Sequence, residues 1–495
     1  MSGFKRYWPG LAVGAIFLAQ FGLGYYGQWH YHYPVAPGDD IYNHLNLIAG
    51  LQAHPTVFGA GVYPPGFHYF VIGLSHLFGR SPLVILTWLW PALLLASGLA
   101  ILLLTWQLFG LRAGILAYLL YALLSLQPLQ TATDGTLVNL FAGDILLPLT
   151  LLSWAKAWSV GGRKKWLWIA WTVLGVLAVA YSHHLSTLIL FGVLTVSGAF
   201  LVIDATWKKT DRLDLTIGSG LAYLALAGGV ALVFWLSPFS GPVKDLVATA
   251  AAIARDNKSW PLTAYLNRIS FLIGLTSLAG IVYYLWLTLS GRADKGQRVA
   301  LIVILSWAIL FLIGSRTSLV GEPERLGRDF ALPAAVIAGL ALSQWRLDQF
   351  GAAKYLILAG LLVVGGRDAL IKTDQLLAYD KMVRFSQADA QLLAMIDTGQ
   401  LPEPAYIWVR NPAWEYLALP EIETNQIQLL SLDRTADLLG QPEAKCVWVS
   451  LYQPGTWPPD LQDDAPIVRL EKIAGVQRSF VLEDQTKIWY SLCKS

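Results

Sequence analysis

Eleven apolar runs, near 7–27, 82–109, 113–132, 136–156, 166–181, 184–204, 216–238, 265–289, 299–315, 328–345 and 353–370, constrain this chain more than any other feature. A helix across the roughly 30 Å hydrocarbon core of a bilayer needs about 20 predominantly apolar residues. The runs have that length and lack the short-range alternation of a transmembrane barrel. With 55% hydrophobic and 14% charged residues and a mean hydropathy of +0.52 over 495 residues, no single water-soluble core can hide the apolar surface. In lipid each backbone polar group must be satisfied within its own span, so the runs are helices. The class this predicts is an all-α polytopic membrane protein with about 11 transmembrane helices over residues 1–371. A small C-terminal α/β domain follows over residues 372–495.

Basic residues orient the bundle. With a cytoplasmic N-terminus, fifteen Lys and Arg fall inside, among them Lys5, Arg6, Arg163, Lys164, Lys165, Lys208 and Lys209, against nine outside. The positive-inside rule therefore predicts a multi-pass cell-membrane protein with a cytoplasmic N-terminus and an extracytoplasmic C-terminal domain. All eight histidines, His30, His32, His44, His54, His68, His76, His183 and His184, fall on the outer side in the same topology. Lys5 and Arg6 before an apolar run could open a signal peptide, but GLGYYGQWH offers no small-residue cleavage site, so the first run reads as a retained helix.

After Lys372 the composition turns soluble: 405–410, 445–452 and 487–493 alternate like strands, and 386–397 reads as a helix. Cys446 and Cys493 lie in two of those strands, and an exported domain could join them in a disulfide or bury them as small apolar side chains. CxxC, Walker and HExxH patterns are lacking, and the GxGxxG from Gly22 to Gly27 ends a membrane helix instead of following a strand. Nothing points to a nucleic-acid partner. The chain also lacks the internal repeat on which many secondary transporters are built.

Four outer segments carry candidate chemistry. In the first external loop (28–81), Asp39 and Asp40 form an acid pair where a helix starts. One carboxylate of such a pair can serve as a base while the other holds an acceptor or a divalent cation, although Asp39 also suits a plain helix cap. The segment Tyr63-Pro64-Pro65-Gly66-Phe67-His68-Tyr69 fixes a turn and seeds a helix with aromatic residues at the interface. Asp134 and Asp144 flank and enter the fourth run, and a carboxylate inside a span marks a polar cavity or bonds a neighbouring helix. A cationic set comprises His183, His184, Arg255, Lys258, Arg325 and Arg328. Arginine gives phosphate a bidentate fork, and interfacial snorkelling accounts for one or two such residues.

The ordered combination of a first span, the Asp39-Asp40 loop, a Tyr-Pro-Pro helix running into Leu77-Phe78-Gly79 and about eleven spans with an external domain resembles the GT-C superfamily of membrane glycosyltransferases. That group uses polyprenyl-phosphate-linked sugars and includes oligosaccharyltransferases, protein O-mannosyltransferases and aminoarabinose transferases. The resemblance implies a lipid-linked donor, a glycan, lipid or protein acceptor, and inversion at the sugar. Asp39 or Asp40 would match the acid acting as base and Asp134 a further acid. Glu322 and Glu324, with Tyr63 and His68, would stand on the acceptor side, while the cationic set would meet the donor phosphate. The chain has neither a WWDYG-like motif in its tail nor a DxD in the first loop, so neither asparagine-linked transfer nor a required metal is implied. The alternative is a non-enzymatic transporter of lipid-linked sugar or solute, with Asp144 and the histidines along its pathway.

Overall fold

The computed structural model describes residues 2–30, 40–55, 64–207, 269–290, 292–317, 323–344, 387–401, 404–408, 427–430, 432–441, 446–452, 464–483 and 487–494, with Gly38 and a few other single residues. Among these, eight helices are long and apolar enough to span a membrane. They are α1 (Ser2–His30), α4 (Pro82–Phe109), α7 (Leu137–Ser159), α8 (Arg163–Ser182), α9 (His184–Trp207), α10 (Phe271–Leu289), α11 (Lys295–Arg316) and α12 (Pro323–Gln344). A further apolar pair is bent, as in a broken span or a re-entrant loop: α5 (Leu111–Leu124) meets α6 (Gln127–Thr133) at 46°. The sequence expectation of one helix over 113–132 is corrected by that break, where Ser125 is extended and Pro128 sits in the first turn of α6. The expected spans at 216–238 and 353–370 fall wholly or almost wholly outside the described residues.

Two shorter helices, α2 (Asp40–Ala53) and α3 (Gly66–Phe78), fill the loop between α1 and α4. Ile41, Ile48 and Leu51 of α2 and Phe67, Val71 and Ile72 of α3 join Leu86, Trp90 and Leu94 of α4 in one buried cluster. Ser81 caps α4 by accepting from the Val84 amide, with Pro82 at the first helical position.

The last turn of α5 and residues Leu140–Leu146 of α7 are widened into π-helical turns. In α7 the cause is local: Pro148 has no N–H to offer the carbonyl of Asp144 four residues earlier. Such turns re-aim side chains. Asp144 and Tyr121, one from each widened segment, are hydrogen-bonded at 3.0 Å.

The C-terminal domain is a five-stranded sheet in the order β2-β1-β3-β5-β4. Its elements are α13 (Gln387–Asp397), β1 (Ala405–Trp408), β2 (Ile427–Leu430), α14 (Leu432–Gly440), β3 (Cys446–Tyr452), α15 (Ala465–Glu471), β4 (Val476–Glu483) and β5 (Lys487–Lys494). Strands β1, β2 and β3 pair in parallel, and β5 and β4 antiparallel. Alternation along the strands turns Ile407, Trp448 and Trp489 toward α13 on one face and Trp408, Val447 and Leu492 toward α14 and α15 on the other. The buried Trp489 indole donates to Asp389 of α13 at 2.9 Å. Cys446 and Cys493 face each other across β3 and β5 and are joined by a disulfide. Leu45 of α2 and Leu83 of α4 pack on the α13 cluster, which seats the domain at the α2 end of the bundle.

Candidate active site

Two glycines bring the first loop to the turn between α6 and α7. A Cβ on Gly38 would lie 2.3 Å from the Gly135 nitrogen and 2.4 Å from the Asp134 carbonyl carbon, and both glycines have positive φ, +96° and +77°. On the other side, a Cβ on Gly135 would lie 3.1 Å from the Ile41 nitrogen and 3.2 Å from that of Asp40. Backbone therefore packs on backbone, and the start of α2, with Asp40, is held beside Asp134. The Asp40 carboxylate accepts from Asn43 at 3.3 Å.

Behind this turn lies a polar cluster enclosed by α5, α6, α7 and α12. Arg328 donates through Nη1 to Asp134 Oδ2 at 3.0 Å and through Nε to Asp329 Oδ1 at 3.1 Å. Gln127 Nε2 donates to Asp329 Oδ1 at 3.1 Å, to Asp144 Oδ2 at 2.9 Å and to Thr131 Oγ1 at 3.2 Å, and Asn139 Nδ2 donates to Asp329 Oδ2 at 3.2 Å. All of these side chains except that of Asp134 are buried. Two carboxylates, those of Asp134 and Asp329, thus share one guanidinium, and the Gln127 and Asn139 amides and the Tyr121 hydroxyl supply the remaining donors to Asp329 and Asp144 in a water-poor environment.

Beside the cluster stand the histidines. His44 of α2 and His68 of α3 are in contact, Nδ1 to Nε2, at 3.2 Å, one ring donating to the other. Burial pushes His44 down to about 4 and His68 down to about 3, the second helped by the neighbouring His44 ring. His183 bonds the Ser186 hydroxyl at 2.8 Å. Burial pushes His183 well below the ordinary imidazole value, and the His184 ring, the Arg325 guanidinium and His44 oppose its protonation further. Arg325, half-buried in the first turn of α12, is therefore close enough to the histidines for its charge to act on them.

The structure brings together Asp40, Asp134, Arg328, His68, His183, His184 and Arg325 at one end of the bundle, with Glu324 exposed in the first turn of α12. Arg328, expected with the rest of the cationic set to meet the donor phosphate, has Nη1 and Nε committed to carboxylates. Asp39, Tyr63, Arg255, Lys258 and Glu322 lie outside the described residues. Sequence reasoning missed the roles of Gln127, Asn139 and Asp329. The signal was present, since polar residues in or next to apolar runs are costly unless they meet one another. Among the described residues no three His, Cys, Asp or Glu side chains converge as metal ligands.

No protein-family model matches the chain, and no curated protein matches it in sequence. Solved structures do match. The Archaeoglobus fulgidus oligosaccharyltransferase aligns over 87% of this chain with a TM-score of 0.58 and 16% identity. The chain spans 65% of that enzyme's length. ArnT from Cupriavidus metallidurans, solved with undecaprenyl phosphate, aligns over 99% of this chain and 98% of its own, with a TM-score of 0.56 and 12% identity. The arabinofuranosyltransferase AftD from Mycobacteria aligns over 98% of this chain and 40% of its own, with a TM-score of 0.51 and 16% identity. The chain shares the fold of these three solved enzymes.

Proposed function

We propose that this chain is a membrane glycosyltransferase that moves a sugar from a polyprenyl-phosphate donor to an acceptor hydroxyl at the extracytoplasmic face, with inversion. The observation that carries the reading is the backbone contact of Gly38 with Asp134 and Gly135, which joins the Asp39-Asp40 loop to a second acid. The solved ArnT complex with undecaprenyl phosphate, and an oligosaccharyltransferase complex with a dolichol-phosphate, favour a lipid-phosphate donor. The Cys446–Cys493 disulfide favours an oxidising compartment for the C-terminal domain, in line with the basic-residue count.

A sugar on a lipid phosphate already carries a good leaving group. What remains is to deprotonate the acceptor and to stabilise the departing phosphate. The Asp39-Asp40 pair takes the acceptor proton as the acceptor oxygen bonds to the anomeric carbon and the bond from that carbon to the phosphate oxygen breaks. General-base catalysis of this kind contributes about 10²–10⁴-fold. Asp134, already paired with Arg328, holds the acceptor. Arg325 meets the phosphate charge with its planar fork, next to His183 and His184. A single displacement with no glycosyl-enzyme inverts the anomeric centre.

The test is purified protein in liposomes containing a defined polyprenyl-phosphate sugar. Transfer to an acceptor, lost in the Asp39→Asn, Asp40→Asn double variant, supports the reading. Movement of the lipid between leaflets without transfer overturns it in favour of a transporter.

A further inference from the structure

We propose that Asp329 is a positioning residue, which aims Asp134 by gripping the arginine between them; the inference rests on the transferase reading above. Asp134 is the exposed end of this chain of contacts, with a side chain 36% exposed against 7% for Arg328 and 4% for Asp329. A half-solvated carboxylate holds a long guanidinium loosely, because water competes for both partners. A buried one does not share that weakness.

Asp329 is fixed from three sides. Its Oδ1 accepts from Arg328 of the same helix and from Gln127 of α6, and its Oδ2 accepts from Asn139 of α7. Gln127 is anchored in turn on Asp144 and Thr131. The carboxylate therefore cannot turn without breaking bonds to two other helices. It presents one oxygen to Arg328 Nε, which leaves Nη1 directed at Asp134. The planar fork fixes the direction of both contacts at once, whereas an ammonium is a point charge on a flexible stem and fixes neither.

A purely structural role for Asp329 would also stabilise the bundle, so the test must separate the two. Asp329→Asn is made in the wild-type, Arg328→Lys and Asp134→Asn backgrounds, and kcat and KM for both substrates are measured in liposomes. Positioning predicts that Asp329→Asn lowers kcat about ten-fold, with donor KM within about two-fold, and that the loss shrinks to about two-fold or less in either background. Asn139→Ala, which leaves the charge pair intact and serves if Asp329→Asn does not fold, should give a smaller kcat loss that vanishes in the same backgrounds. Losses as large in Arg328→Lys and Asp134→Asn as in wild type overturn the proposal, and so does unchanged kcat in both Asp329→Asn and Asn139→Ala. Melting of the same variants in micelles reads the link without activity. Additive shifts for Asp329→Asn and Asp134→Asn mean that the two acids are uncoupled, and they overturn the proposal as well. Wild-type protein that transfers no sugar fails the transferase reading, while sub-additive melting would still uphold the link between the acids.

Discussion

Gly38 and Gly135 meet backbone to backbone, each with positive φ, across 97 residues of sequence, leaving no room for a side chain on Gly38. This contact sets where the first loop ends and α2 begins. It is also why Asp40 and Asp134, remote in the chain, lie at one edge of the bundle.

Gly135→Ala should therefore damage activity more than stability. A Cβ there meets two backbone nitrogens at 3.1 and 3.2 Å, and the positive φ adds strain. The start of α2 must shift away from Asp134. Only the edge of the apolar cluster, at Ile41, adjoins the contact, so the expected outcome is a melting temperature in micelles within a few degrees of wild type and transfer reduced at least about ten-fold. Full activity in a folded Gly135→Ala protein would show that the two acids need no fixed separation.

Arg325 gives the second expectation. Lysine keeps the charge and reaches the interface equally well, but it loses the planar fork. Arg325→Lys should raise donor KM about ten-fold at saturating acceptor, and Arg325→Ala should raise it further. An interfacial anchor would tolerate lysine with no change. Arg328 should behave differently, because its fork spans two carboxylates: Arg328→Lys should lower kcat before it alters donor KM.

Much of the fold was legible because each span announces itself by length and apolarity. The helix from Gly66 was legible from Pro64 and Pro65, and the strands at 446–452 and 487–494 from their alternation. Other elements left weaker traces. Strand β4 exposes Gln477, Arg478, Ser479 and Phe480 in succession, so no alternation marks it. The break between α5 and α6 and the π-turn before Pro148 depend on one proline each, which an apolar average conceals. The site divides in the same way. Acids and arginines were visible as residue types, but the pairing of Arg328 with Asp134 and Asp329 arises from three helices packing together. Gln127 and Asn139 have no charge to betray them.

The disulfide supplies the third expectation. Cys446 and Cys493 are 47 residues apart, and a crosslink closing a loop of that length stabilises by about 4 kcal/mol in the chain-entropy description. Reduction or Cys446→Ser should lower the melting temperature of the C-terminal domain well before that of the bundle. Differential labelling of thiols before and after reduction checks the bond directly: two thiols appear only after reduction. Two reactive thiols in the untreated protein would place the pair among ordinary buried cysteines.

The pH dependence of stability follows from His44 and His68. Unfolded, each imidazole titrates near about 6.5; folded, burial holds His44 at about 4 and His68 at about 3. Between those values the unfolded chain binds protons that the native one refuses. Stability therefore rises with pH through that window, is fully present above about 6.5, and is lost as the pH falls through 4 toward 3. A single proton can still be shared across the 3.2 Å contact, but with both rings protonated every ring nitrogen is a donor and the contact has no acceptor. His183, likewise held neutral and electrostatically linked to His44, adds to the slope in the same direction. The melting temperature should be flat from about pH 7 to 8 and fall steadily between about 6.5 and 4. In a His44→Leu, His68→Leu protein the fall should be shallower rather than absent, because His183 and the carboxylates still drive part of it. An acid slope identical in that double variant would mean that the two rings titrate alike in the folded and unfolded chains, and that they are not buried as a neutral pair.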